Sequence, residues 1–398
     1  MMSTNVVDLN AWRHNLQMGD KGPKRNLTNL MVHLRNLPSL GKTIKLNEMT
    51  GITEWRGDPI TDTDYVDIQM IIEQASFQPN KNDIPIAVAR IAKDNAYHPV
   101  RDYLDGLQWD NVTRLDQFLP ILFGTPDTPY ERMIGVKWMI GAVARVYQPG
   151  CKMDNMLVLE GPQNIGKSSA LAALFGRQFF TEMVNELRDH KKFMEQIAGK
   201  WVVEFAELSA IRRADVELVK AIISMQVDRS RMSYGRNPVE NPRQCVLAAS
   251  VNPKHDSGYL TDPTGNRRFW PVRCSSIDIA RLIRKRDDLW AEAVVRYRSG
   301  EKWWLDDDEA GVAGGEQSER MAVDPWADVL SAKLVAGYSY TSVAILTEMI
   351  KVPTDRLDQF QKTRLADVMT FLGWKQHVAK RRGDGGNRVS VREWRMSE

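Results

Sequence analysis

The sequence predicts an α/β fold built round a parallel sheet, and three apolar stretches carry that expectation. Met156-Leu157-Val158-Leu159, Trp201-Val202-Val203 and Cys245-Val246-Leu247-Ala248-Ala249 are short unbroken runs, the pattern of strands buried on both faces. The first leads into Gly161-Pro162-Gln163-Asn164-Ile165-Gly166-Lys167-Ser168 and then a helical run from Ser169 to Phe175. Strand, turn and helix form the setting that the G-x-x-x-x-G-K-[ST] pattern requires. Backbone N–H groups wrapped at a helix N-terminus present several donors to one anion, and the helix dipole favours negative charge there. Gly161 and Gly166 let the backbone approach phosphates, Lys167 reaches the β/γ-phosphates, and the Ser168 hydroxyl suits Mg²⁺. The expectation is an NTP site with Mg²⁺.

Composition bounds the rest. The 398 residues are 43% hydrophobic and 26% charged, ordinary values for two or three globular domains. With a formal net charge of +3, affinity for a polyanion has to come from local patches. Cys151, Cys245 and Cys274 lie far apart with no C-x-x-C pair, which argues against a zinc site or disulfide framework and fits a reducing cytosol. No apolar run reaches roughly eighteen residues. A cytoplasmic protein with no membrane partner is expected.

Taken in order, residues 1–26 read as a loosely ordered polar arm and 27–129 as a mostly helical domain. Leu27, Leu30, Met31 and Leu34 recur at helical spacing, Thr43–Asn47 and Ile52–Trp55 read as short strands, and helices follow near 61–72 and 84–95. Residues 130–305 hold the nucleotide-binding core, opened by a long helix near Tyr130–Tyr147. Lys200 to Leu208 is an apolar strand ending in acids. Glu207 is the expected catalytic acid, and Glu204 its alternative or metal partner. A helix near Ala214–Met225 precedes Asp228–Pro238, where Arg229, Arg231, Tyr234 and Arg236 suit a hairpin offering cations to phosphates and an aromatic to a base. Asn252 ends the next strand, where an amide can hold the attacking water or the γ-phosphate. Arg267 and Arg268 precede a further strand, and either can serve as a finger that stabilises transition-state charge across a subunit boundary. Residues 306–322 read as a linker. Three helices and a basic hairpin carrying Lys380, Arg381, Arg382 and Arg388 give 323–398 a winged-helix pattern.

From about Trp109 to Val272 these pieces resemble the virulence-associated protein E family of phages and mobile elements, and more distantly the superfamily 3 helicases. Trp109-Asp110 with Arg114-Leu115, Val143-Ala144-Arg145, Pro149-Gly150-Cys151-Lys152 and the phosphate loop carry the likeness. Glu204-x-x-Glu207, Tyr234-Gly235-Arg236, Ser250-x-Asn252-Pro253 and Thr264 to Pro271 complete it. The resemblance implies a P-loop NTPase core of AAA+-like, superfamily 3 type, with residues 161–169, Ser169 included, around ATP. It implies Ser168, Glu204 and Glu207 near Mg²⁺, Asn252 as polar sensor, and Arg267 or Arg268 as the finger. The Arg229–Arg236 hairpin would track DNA in a ring's channel. Two departures stand out: Asn164 replaces a glycine common in relatives, and Ala206 removes the usual tandem acid pair. The expected function is an ATP-dependent DNA helicase or replication protein working as a homo-oligomer, a hexamer in the leading reading. Single-stranded DNA, origin duplex, and a primase or host replication proteins are the expected partners. An ATP-switched binding protein that does not unwind DNA is the alternative, and a small-molecule kinase ranks last.

Overall fold

The computed structural model describes residues 11–183, 189–206, 213–230, 239–252, 260, 266–320, 324–382 and 388–396. Its centre is a five-stranded sheet of β1 (Met156–Glu160), β2 (Phe180–Met183), β3 (Val202–Phe205), β4 (Val246–Val251) and β5 (Phe269–Arg273), in the order β5-β1-β4-β3-β2. Every neighbouring pair is parallel. Apolar side chains on both faces let these strands sit inside the molecule, where all of β1 is buried.

Helix Lys167–Phe175 crosses from β1 to β2, and its far end is clamped by aromatics. The Phe175 ring lies 5.3 Å from Trp138, 4.9 Å from Trp201 and 5.1 Å from Trp290, edge-on in each case. Such pairs add about 0.5–1.5 kcal/mol each beyond burial. The buried indoles also keep their N–H bonds: Trp138, Trp201 and Trp290 donate to the carbonyls of Leu247, Ala142 and Leu174. Trp138 comes from helix Pro129–Tyr147 and Trp290 from helix Ile279–Arg298, so the two long helices fix the short one against the sheet.

The N-terminal unit has its own core of Leu30, Leu34, Ile68, Ile72, Val88 and Ile91. Helices Leu27–Asn36, Asp62–Gln74 and Ile84–Asp94 pack there beside strands Ile44–Asn47 and Ile52–Trp55. Residues 11–26, expected to be loose, are tied down because Asn29 Nδ2 donates to the carbonyls of Gln17 and Lys24. Within the stretch read as a linker, Asp307–Glu319 is a helix. Asp306 and Glu309 form a capping box at its start, and Gln317 Nε2 donates to Phe269 O of β5 at 2.8 Å. Side-chain capping and packing on the sheet outweigh its three glycines.

The C-terminal unit has helical segments Pro325–Lys333, Ser342–Ala344 running on into Ile345–Met349, and Gln359–Phe371. Strands Tyr340–Thr341, Arg388–Met396 and Trp374–Arg382 form an antiparallel sheet in that order. Leu330, Ile345, Leu346, Leu365, Met369, Trp374 and Trp394 fill a separate core.

Candidate functional site

The Gly161–Ser168 loop joins the C-terminal end of β1 to the helix that begins at Lys167. Gly161 is required by space and Gly166 by its left-handed backbone. A Cβ on Gly161 would lie 2.5 Å from Cys274 O, and one on Gly166 would lie 2.9 Å from Ile279 Cδ1. Gly166 also has φ +97° and Asn164 φ +65°. Asparagine is among the few side chains that enter the left-handed region readily, so a non-glycine residue is accommodated at 164.

Lys167 is buried, and its ammonium donates to Gly161 O at 2.7 Å, Pro162 O at 2.8 Å and Asn252 Oδ1 at 2.8 Å. Burial lowers its pKa, against the opposing pull of Cys274 and Glu204. These carbonyl and amide oxygens compensate the buried charge. Burial also pushes the nearby Cys274 thiol up to about 12. The residue is buried, and Cys274 N donates to Glu160 O at 2.7 Å.

One residue along, Ser168 Oγ donates to Glu204 Oε1 at 2.9 Å. Glu204 is fully buried on β3, and burial raises its pKa. Ser250 and Ser168 lower it and Glu182, its register partner on β2, raises it. Its second oxygen, Oε2, has no partner of hydrogen-bond geometry among the described residues. A hydroxyl and a carboxylate oxygen left over in one place are hard oxygen donors, the kind that suit Mg²⁺ with few protein ligands.

Lys167, Ser168, Glu204 and Asn252 therefore meet at one place. Arg267 and Arg268 do not join them. They precede β5, whose register sets Phe269 beside Met156, the first residue of β1. The five residues of β1 put about 17 Å between that end and the loop. Arg268 Nε instead donates to Ser224 Oγ at 2.9 Å, and Arg267 is exposed. The hairpin root, Val227–Ser230 paired with Val239–Pro242, runs into this same end of the sheet through Arg243. Arg229 is exposed on the root. Glu207, Arg231, Tyr234 and Arg236 lie outside the described residues. In the C-terminal hairpin Lys380 is exposed, and Arg382 pairs in register with Arg388; the side chains of Arg381, Arg382 and Arg388 are outside the described set.

Two features escaped the sequence reading. Arg243 and Asp228 form a buried pair at 2.5 Å at the hairpin root, and no local pattern announces it. Glu160 and Arg320 pair at 2.8 Å behind the loop. The acid ending an otherwise apolar strand was the only signal.

Among the described residues, no helix is long and apolar enough to cross a membrane. No curated protein matches the chain. Among solved structures, the apo NrS-1 C-terminal region (305–718) aligns at 12% identity and a TM-score of 0.45, over 74% of this chain and 78% of that one. An A-form apo structure of the same region aligns at 12% identity and 0.42, with the same coverage. Residues 104–322, more than half the chain, match the virulence-associated protein E-like domain. The span takes in the whole sheet, the Gly161–Ser168 loop and both ends of the site, and the chain belongs to the virulence-associated protein E-like family.

Proposed function

We propose that the chain is a ring-forming, ATP-driven motor on single-stranded DNA, serving as a replication helicase of a phage or mobile element in its host's cytoplasm. The observation that carries this reading is the division of the site. Lys167, Ser168, Glu204 and Asn252 gather at one end of the sheet while Arg267 and Arg268 stand at the other. An arginine that cannot reach its own loop is suited to a neighbour's, as between subunits of a ring with a P-loop core of AAA+-like, superfamily 3 type.

In this reading Lys167 exchanges its three oxygen partners for the β/γ-phosphates, and residues 161–169 wrap them with backbone N–H groups. Asn252, released from Lys167, orients the attacking water, and Glu207 takes its proton. Ser168 and Glu204 would hold Mg²⁺, which when bound neutralises charge on the phosphates. A neighbour's Arg267 or Arg268 stabilises the transition state. The Arg229–Arg236 hairpin grips the DNA strand, and the C-terminal unit, a winged-helix module with Lys380, Arg381, Arg382 and Arg388 at its tip, meets origin duplex, a primase or host replication proteins. The ring is taken as a hexamer.

The test is ATP hydrolysis with and without single-stranded DNA, beside strand displacement on a forked duplex. Wild type should hydrolyse faster with DNA and displace the strand, and Lys167→Ala should do neither. ATP-dependent DNA binding without displacement would favour the ATP-switched initiator. Turnover indifferent to DNA would remove both.

A further inference from the structure

Glu160 is the last residue of β1 and directly precedes Gly161, and it is only 3% exposed. A carboxylate buried there is costly unless matched. Its match comes from far along the chain, where Arg320, 5% exposed, donates from Nε to Glu160 Oε1 at 2.8 Å. Arg273 approaches Oε2 at 3.6 Å, yet its own side chain is 63% exposed, so Arg320 is the enclosed partner.

The other end of the guanidinium holds a helix. Arg320 Nη1 donates to Glu316 O at 2.7 Å and to the Glu316 carboxylate. That helix, Asp307–Glu319, is itself fastened to β5 through Gln317. The Arg320 carbonyl accepts from Leu260 N at 3.1 Å, within the connection that runs from Asn252 to Arg267. Tyr130 lies close enough to feel Arg320, Glu316, Glu131 and Glu160, and its buried hydroxyl has no partner among the described residues. The guanidinium thus ties the root of the loop to helix Asp307–Glu319, while the Arg320 backbone holds Leu260 on the route from Asn252 to the arginine pair.

We propose that Arg320 is a positioning residue that sets the path of the Gly161–Ser168 loop through Glu160 and couples the loop's nucleotide occupancy to helix Asp307–Glu319. The proposal rests on the nucleotide reading of the loop. Arg320 reaches the strand behind the loop, so its effect is on geometry and turnover more than on holding phosphate. The fork geometry matters, because a lysine ammonium cannot bridge two carboxylates in the same fixed plane.

The experiment compares wild type, Arg320→Lys, Arg320→Gln and the double variant Glu160→Gln/Arg320→Gln. Three quantities are read: the Kd of a fluorescent ATP analogue, kcat for ATP, and amide hydrogen exchange with and without ATP. In wild type ATP should slow exchange in helices Lys167–Phe175 and Asp307–Glu319. Arg320→Gln should lower kcat about tenfold or more, since small misplacements near the chemistry are expensive, while Kd stays within about threefold. ATP should still protect Lys167–Phe175 but no longer Asp307–Glu319. Arg320→Lys should fall between. The double variant leaves no unpaired buried charge and should fold, so it separates loss of coupling from loss of structure. Wild-type kcat and a wild-type exchange response in the double variant would overturn the proposal and leave the nucleotide reading standing. A wild-type chain that binds no ATP would remove both.

Discussion

Lys167 and Asn252 meet across neighbouring strands, with the ammonium 2.8 Å from the amide oxygen. The loop lysine is thereby held at the tip of β4, and in the proposed function phosphate would have to compete with that hold. Asn252→Asp would turn a neutral acceptor into a charged one and strengthen the grip. ATP affinity should fall about tenfold, the equivalent of roughly 1.4 kcal/mol, in a titration with a fluorescent analogue. Asn252→Ala should leave affinity nearly unchanged and slow hydrolysis. Equal affinities in all three proteins would show that Lys167 is not restrained by this contact.

Glu204 links the site to stability. Burial raises its pKa in the folded chain, so the folded state holds the proton more readily than the unfolded one. Its contribution is therefore favourable below the unfolded value and is lost as pH rises through the folded one. Glu204→Gln removes that penalty. The nucleotide-free variant should melt a few degrees above wild type at neutral pH, with the gap closing as pH falls toward about 4, the ordinary glutamate range. Melting curves across this range check the sign. The same variant should lose ATP hydrolysis.

Arg267 and Arg268 sit at the end of the sheet away from their own loop, which makes a mixing experiment decisive. Lys167→Ala and Arg268→Ala should each be inactive alone. Mixed, they form some interfaces that pair an intact loop with an intact finger, and part of the activity should return. No recovery with Arg268→Ala or Arg267→Ala would exclude action across subunits.

At the hairpin root, Arg243 and Asp228 have side chains 1% and 3% exposed and share two bonds. Removing one partner strands a buried charge. Asp228→Ala should cost about 3–5 kcal/mol in urea unfolding and weaken DNA stimulation by loosening the hairpin. A loss under about 1 kcal/mol would mean that water reaches the arginine.

The strands and the loop were legible because their signals are local. Met156–Leu159 is unbroken apolar sequence, and the Gly161–Ser168 spacing marks a tight turn between strand and helix. Helix Arg213–Ser224 and the hairpin root were legible for the same reason. Helix Asp307–Glu319 was not, since three glycines and an acidic start mimic a linker until β5 offers Gln317 a carbonyl.

The sequence by itself determined the parallel sheet, the loop, and the kinds of side chain placed at strand ends, because strand burial and loop geometry follow from neighbouring residues. Only the tertiary structure decided which of those ends meet. Strand order set Asn252 against Lys167, helix packing aimed Ser168 at Glu204, and the register of β5 left Arg267 and Arg268 at the opposite end of the sheet. It also paired Glu160 with Arg320, 160 positions apart. A buried charge has to find its partner wherever the fold brings one, and no local pattern records that choice.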